Sequence, residues 1–130
     1  MGRPEFDTKK AHEFFSASCF NGTWALIDKA DRTAEDDERM LLSAMASLWH
    51  WTNREDHTPT NLSIGYWQVS RVHALLERAD EARRYGLLAL DAATRGKADA
   101  FTRGYAYEAL ARAEAVAGDR AKSAGHLRKA

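Results

Sequence analysis

Residues 58–90 read TPTNLSIGYWQVSRVHALLERADEARRYGLLAL, and this stretch decides the fold. Thr58-Pro59 marks the sharpest boundary in the chain: a threonine oxygen suits an N-cap, and proline suits the first helical position, where its missing N–H removes no bond. From Pro59 to about Glu77, Leu62, Gly65, Tyr66, Val69, Val72 and Leu76 form one stripe at helical spacing. Ile64, Trp67, Arg71, Ala74 and Leu75 form a second. A helix apolar on two sides is packed on two sides, so this one is expected to be central. After a turn at 77–80, another helix runs to about Thr94. Its small residues Ala82, Gly86, Ala89 and Ala93, with Tyr85, allow close helix approach, and Gly96 is read as its left-handed cap. The stretch is a helical hairpin.

On the N-terminal side the periodicity predicts two more helices. One runs from Thr8 to Asp28, capped by Asp7 or Thr8, with Phe14, Ala17, Phe20, Trp24 and Ile27 as its apolar face. Asn21-Gly22 either ends it early or is carried inside it at about 1 kcal/mol for the glycine. The next begins near Thr33, which with Asp36 is close to a capping box, and places the acidic run Glu35 to Glu38 where the helix dipole favours negative charge. Leu41, Ala44, Leu48 and Trp51 form its face, widened by Met40, Met45 and Trp49. On the C-terminal side, Asp99 opens a fifth helix to Ala117, with Ala106, Ala109, Leu110, Ala113, Val116 and Ala117 as its core stripe. Gly118-Asp119 turns the chain into a sixth helix, Arg120 to Lys129. Residues 1–7 are read as disordered or as a cloning remnant.

The chain of 130 residues is long enough for a real core and is read as one domain, 1–130. Lys plus Arg equals Asp plus Glu at 19 each, and this zero balance argues against a nucleic-acid partner, which needs a cationic excess. No apolar run is long enough to span a membrane, and no signal-peptide pattern is visible. Cys19 is alone, which excludes an intrachain disulfide and points to a reducing, cytoplasmic setting.

A shift of 41 residues superposes the third helix on the fifth: Tyr66 meets Tyr107, Arg71 meets Arg112, Ala74 meets Ala115 and Ala89 meets Ala130. Repeated hairpins cannot bury their faces alone and must stack. Here the residues resemble the tetratricopeptide family. Ala82 and Ala89 fall where that repeat expects its small residues, Tyr66 and Tyr107 where it expects an aromatic, and Gly118-Asp119 where it turns between helices. Ser70 and Ala111 replace the family glycine, His73 and Glu114 replace its tyrosine, the terminal proline is missing, and the spacing of 41 exceeds the family's about 34. The first hairpin matches poorly, so the resemblance covers about the last two thirds of the chain. It implies an all-α fold of three stacked antiparallel hairpins in a right-handed superhelix. It also implies binding of a protein or peptide segment on the concave face formed by the first helix of each pair.

By this resemblance Trp67 and Arg71 face the groove, and so do Tyr105, Glu108 and Arg112 on the fifth helix. A planar aromatic beside a guanidinium suits a carboxylate or a peptide backbone. The plainer account pairs Arg112 with Glu108 at i,i+4 and Arg71 with an acid on a neighbouring helix. A second reading is a small-molecule pocket, enzymatic or sensory, around Trp49, His50, Trp51, Trp67 and His73, with His12 and His57 able to come near. No histidine pair has the i,i+4 or H-E-x-x-H spacing that places two imidazoles on one helix face, so no metal is assigned and His50 is expected to be partly buried and hydrogen-bonded. Cys19 is read as a buried structural thiol. No Gly-rich phosphate loop, G-x-S-x-G elbow or core carboxylate pair occurs, so no catalytic residue and no cofactor is assigned. The expected function is a non-enzymatic interaction module for a protein or peptide segment. An open stacking face on the sixth helix, around Leu127, is expected to allow a homodimer.

Overall fold

The computed structural model describes residues 2–130. They form six helices, and among the described residues there is no strand: α1 (Thr8–Ile27), α2 (Ala34–Thr52), α3 (Pro59–Leu75), α4 (Ala79–Arg95), α5 (Ala100–Ala117) and α6 (Arg120–Lys129). None of these helices is long and apolar enough to cross a membrane. The chain divides between His57 and Thr58 into two compact units, one holding α1 and α2 and the other α3 to α6.

Local chemistry sets most boundaries. Asp7 accepts from the Lys10 N–H at 3.1 Å to start α1. Thr33 and Asp36 exchange both bonds of a capping box at the start of α2, and Thr58 and Asn61 do the same for α3, with Pro59 following. Such reciprocal caps satisfy N–H groups that the first turn leaves free. Asn21-Gly22 does not end α1; the helix carries both to Ile27.

In the first unit α1 lies against α2. Met40, Ala44 and Leu48 of α2 are buried as expected, and so is Ile27 of α1, whereas Met45 and Trp49, expected to widen the α2 face, are exposed. Phe20 and Trp24 of the expected α1 face are half-buried, and two of its positions are corrected. Phe14 is 63% exposed and Ala17 is also exposed, while Ser16 and Thr23 are fully buried. The reason is close approach: the Ser47 hydroxyl of α2 donates to the Ser16 main-chain oxygen at 2.7 Å, and Thr23 Oγ1 lies 2.8 Å from Ser43 Oγ. Helices this close take small hydroxyl residues at the crossing, and the bulky aromatics move to the flanks. Cys19, expected to be buried, is half-buried.

In the second unit α3 packs on both α4 and α5, in keeping with its two apolar stripes. Consecutive helices are joined by short turns and run antiparallel, so α3 and α5 point the same way and the unit is two stacked hairpins. Its interior is rich in alanine, with Val69, Val72 and Leu110 the largest buried apolar groups. Each of these three supplies roughly 1.5–3 kcal/mol by burial. The small residues let backbones approach. A Cβ on Gly86 would sit 2.9 Å from Leu110 Cδ2. Ser63 donates to the Ala89 carbonyl and Ser70 to the Ala82 carbonyl, each at 2.7 Å. Between the hairpins, the Arg83 guanidinium holds the buried Glu114 carboxylate through Nε and Nη2 and also reaches Asp80 at 3.0 Å. Arg83 holds the Glu114 carboxyl below the usual carboxylate range.

Gly96 is not left-handed: its φ is −80°, and Lys97 takes the positive φ of 48° instead. Gly96 is needed for space, since a Cβ there would stand 2.8 Å from Pro59 Cβ. Ala117, expected in the core stripe of α5, is exposed at that helix's last turn. α6 has no fully buried residue, and Leu127 is 56% exposed.

The 41-residue register holds at the level of the backbone. Thr58 and Asp99 are both N-caps, and Glu77 and Gly118 both take a positive φ just past a helix end. The pair Ser70–Ala82 corresponds to Ala111–Ser123, and there the bond is reversed. Ser123 on the second helix of its hairpin donates to the Ala111 carbonyl on the first, at 2.8 Å.

Candidate functional site

Within the second unit, α3 is covered around most of its circumference, and after Pro59 its one exposed residue is Ile64. Ile64, Trp67 and Arg71 follow one another at i, i+3 and i+7, so they lie along one strip of the helix. On α5 the strip is Phe101, Tyr105, Glu108 and Arg112, spaced i, i+4, i+7 and i+11. Phe101 is 78% exposed and Tyr105 49%. The strips meet where the Trp67 and Tyr105 rings pack with centroids 5.1 Å apart at 48°. Arg112 pairs with Glu108 on its own helix through Nη2, while its Nη1 has no acceptor. Arg71 is half-buried. The structure therefore brings together the expected aromatic pair and places the two arginines at equivalent positions on parallel helices. The plain i,i+4 pair expected for Arg112 is also present.

A cavity of about 420 Å³ adjoins this strip, lined by Ala100, Phe101, Gly104, Tyr105, Glu108 and Ala130. Phe101 was not among the expected residues. Its signal was present in the sequence, four residues before Tyr105, but the 41-residue register pairs Phe101 with Thr60, which is not aromatic. A hollow of about 530 Å³ runs along α4 between Asp80, Arg83, Arg84, Leu87, Leu88 and Asp91. Its charges are already matched: Arg83 with Glu114 and Asp80, Arg84 with Glu81 at 3.9 Å, Asp91 with Arg95 at 2.9 Å. The α3/α5 strip instead offers the exposed rings of Phe101 and Tyr105 beside half-buried Trp67.

The other residues singled out in the sequence fall in separate units. In the first, Trp49 and His50 join His12 and Phe15 at the open end of the α1–α2 hairpin, while Trp51 lies under the Arg54 guanidinium at 4.1 Å. His12 Nδ1 and His50 Nδ1 are 2.9 Å apart, so one ring donates and the other accepts. Burial, then the charge of His12, holds His50 below the ordinary histidine value. Spacing along one helix could not reveal this pair, because its members come from facing helices. Among the described residues no three His, Cys, Asp or Glu side chains gather in a way that could hold a metal ion. In the second unit His73 is 6% exposed and stacked on Tyr85 at 5.5 Å and 16°.

Comparison with protein-family models, with curated proteins and with solved structures finds no match to this chain.

Proposed function

We propose that the protein is a tetratricopeptide-like interaction module rather than a catalyst, and that the α3/α5 strip is a groove for a segment of a protein partner. The observation that carries this reading is the surface contact of Trp67 with Tyr105, flanked by Arg71 and Arg112. Tryptophan, tyrosine and arginine are the residues that most often dominate protein interfaces, because each combines a large apolar area with a fixed polar edge. The rings take an apolar or aromatic side chain of the segment, and the guanidinium groups take a carboxylate or a main-chain carbonyl.

The test is selection of peptides from a random display library on the whole chain, followed by measurement of their affinities for variants. Trp67→Ala, Tyr105→Ala and the double change Arg71→Ala with Arg112→Ala are each expected to weaken binding by about tenfold or more. Arg84→Ala, in the α4 hollow, is expected to leave it unchanged. Equal affinities for wild type and all groove variants would remove the groove assignment.

A further inference from the structure

The outer face of α2 carries a ridge of exposed apolar side chains, with Trp49 at its end also in edge contact with His12 of α1. Met40, Ala44, Ser47 and Leu48 face α1, while Leu42, Met45 and Trp49 stand on the opposite side at 63%, 37% and 58% exposure. They recur at i, i+3 and i+7, the spacing by which an amphipathic helix presents anchors to a groove. Glu38 stands one turn before Leu42 and Glu35 one turn before that, both exposed. From its N-terminus the ridge thus runs from acidic to apolar.

The groove of the second unit has the reverse polarity. Along α3 it runs Ile64, Trp67, Arg71, and along α5 Phe101, Tyr105, Arg112, from apolar to cationic on two parallel helices. A helix laid antiparallel to them would set Glu35 and Glu38 against the arginines and Leu42, Met45 and Trp49 against the rings. The lengths also agree. Glu38 to Trp49 and Phe101 to Arg112 are each eleven positions, about 16 Å at the helical rise.

The long-range field has the same sense. The first unit holds seven Lys and Arg against eleven Asp and Glu, a net −4, and the second holds twelve against eight, a net +4. Opposite fields of this kind steer encounter and select register.

We infer that the α2 ridge of one copy docks antiparallel in the α3/α5 groove of a second copy, so that the chain associates head to tail. This rests on the reading of the groove as a segment-binding site and names its occupant. The contact is heterologous: each copy keeps one free ridge and one free groove, so association continues beyond the dimer unless the geometry closes a ring.

Sedimentation of the intact protein tests the inference, with circular dichroism confirming that each variant is folded. The wild-type mass is expected to rise with concentration and to fall with added salt, since exposed charges are screened. Leu42→Glu, on the ridge, and Tyr105→Glu, in the groove, are each expected to give a monomer. An equimolar mixture of the two is expected to give a complex of two chains and nothing larger, because one intact ridge and one intact groove remain. Phe101→Glu serves as a second groove variant. A wild type that stays monomeric at every concentration would overturn the inference. So would a Tyr105→Glu variant that still dimerises while Leu42→Glu does not, which would mean ridge-to-ridge pairing. If selected peptides bind the groove of a monomeric wild type, the groove reading stands and the self-docking falls. If no peptide binds and the protein is monomeric, both fall.

Discussion

Among the described residues, three sit just past helix ends in left-handed backbone, and one of them is glycine. Glu77 has φ 60°, Lys97 φ 48° and Gly118 φ 86°. Each closes the same bond: the N–H groups of Arg78, Ala98 and Asp119 reach back to the carbonyls of His73, Ala93 and Glu114 at 2.9 Å. A side chain in this conformation costs about 1 kcal/mol relative to glycine. Glu77→Gly is therefore expected to stabilise the second unit by about 1 kcal/mol, and Gly118→Ala to destabilise it by at least about 1 kcal/mol, both read from urea midpoints. The sequence showed Gly118 because glycine is the usual occupant, and it misplaced the cap of α4 because Gly96 was there for its missing Cβ. His73 gives the second expectation at this scale. Burial holds its ring below the ordinary histidine value; Glu81 opposes this and Arg78 adds to it. Above about pH 6.5 the ring is neutral both folded and unfolded, so its contribution is fully present. As pH falls below that value the unfolded chain takes the proton first, and stability is lost until the lower folded value is passed. His73→Phe is expected to flatten this acid limb below about pH 6.5, seen as a smaller change in urea midpoint.

At the scale of the element, hairpins are fastened by serine hydroxyls that bond the main chain of the facing helix. The positions of Ser70 and Ala82 in one hairpin are those of Ala111 and Ser123 in the next, with donor and acceptor exchanged. Ser70→Ala removes one such bond and is expected to destabilise the protein by about 1 kcal/mol. Ala82→Ser in the same background is expected to restore most of the loss, because the second hairpin already holds its bond in that arrangement. Recovery is read as the return of the thermal midpoint, and a double variant no more stable than Ser70→Ala would show that the two crossings are not equivalent. The helices themselves were legible throughout: every one of the six falls where periodicity, caps and turn residues placed it. The inward face of α1 was not. Apolar periodicity assumes that large side chains lead the packing, and at a close crossing Ser16 and Thr23 lead instead, with Phe14 turned out. The candidate groove was legible because the arginines recur in register. The His12–His50 pair was not, because contacts between facing helices leave no mark at a fixed spacing.

For the whole molecule, the division between His57 and Thr58 is the leading feature. Residues 55–58 are exposed between α2 and α3. Exposed connections are cut before packed helices are, so brief digestion with a non-specific protease is expected to nick the chain first within residues 53–58, identified by fragment mass. A first cut inside the second unit, at the turn of Glu77, would instead make that hairpin the weaker place. The division also changes what the charge balance means. A sum of zero argued against polyanionic partners, yet it is the sum of two opposite halves. One contact within the second unit bears on how such a protein lengthens. Gly96 touches Pro59, so the chain leaves the α3–α4 hairpin beside the point where it entered. A segment whose two ends meet can be copied in tandem without re-routing its neighbours. Duplication of residues 58–98 in frame is thus a conservative edit, one that adds a layer to the stack and repeats the α3 strip beside itself.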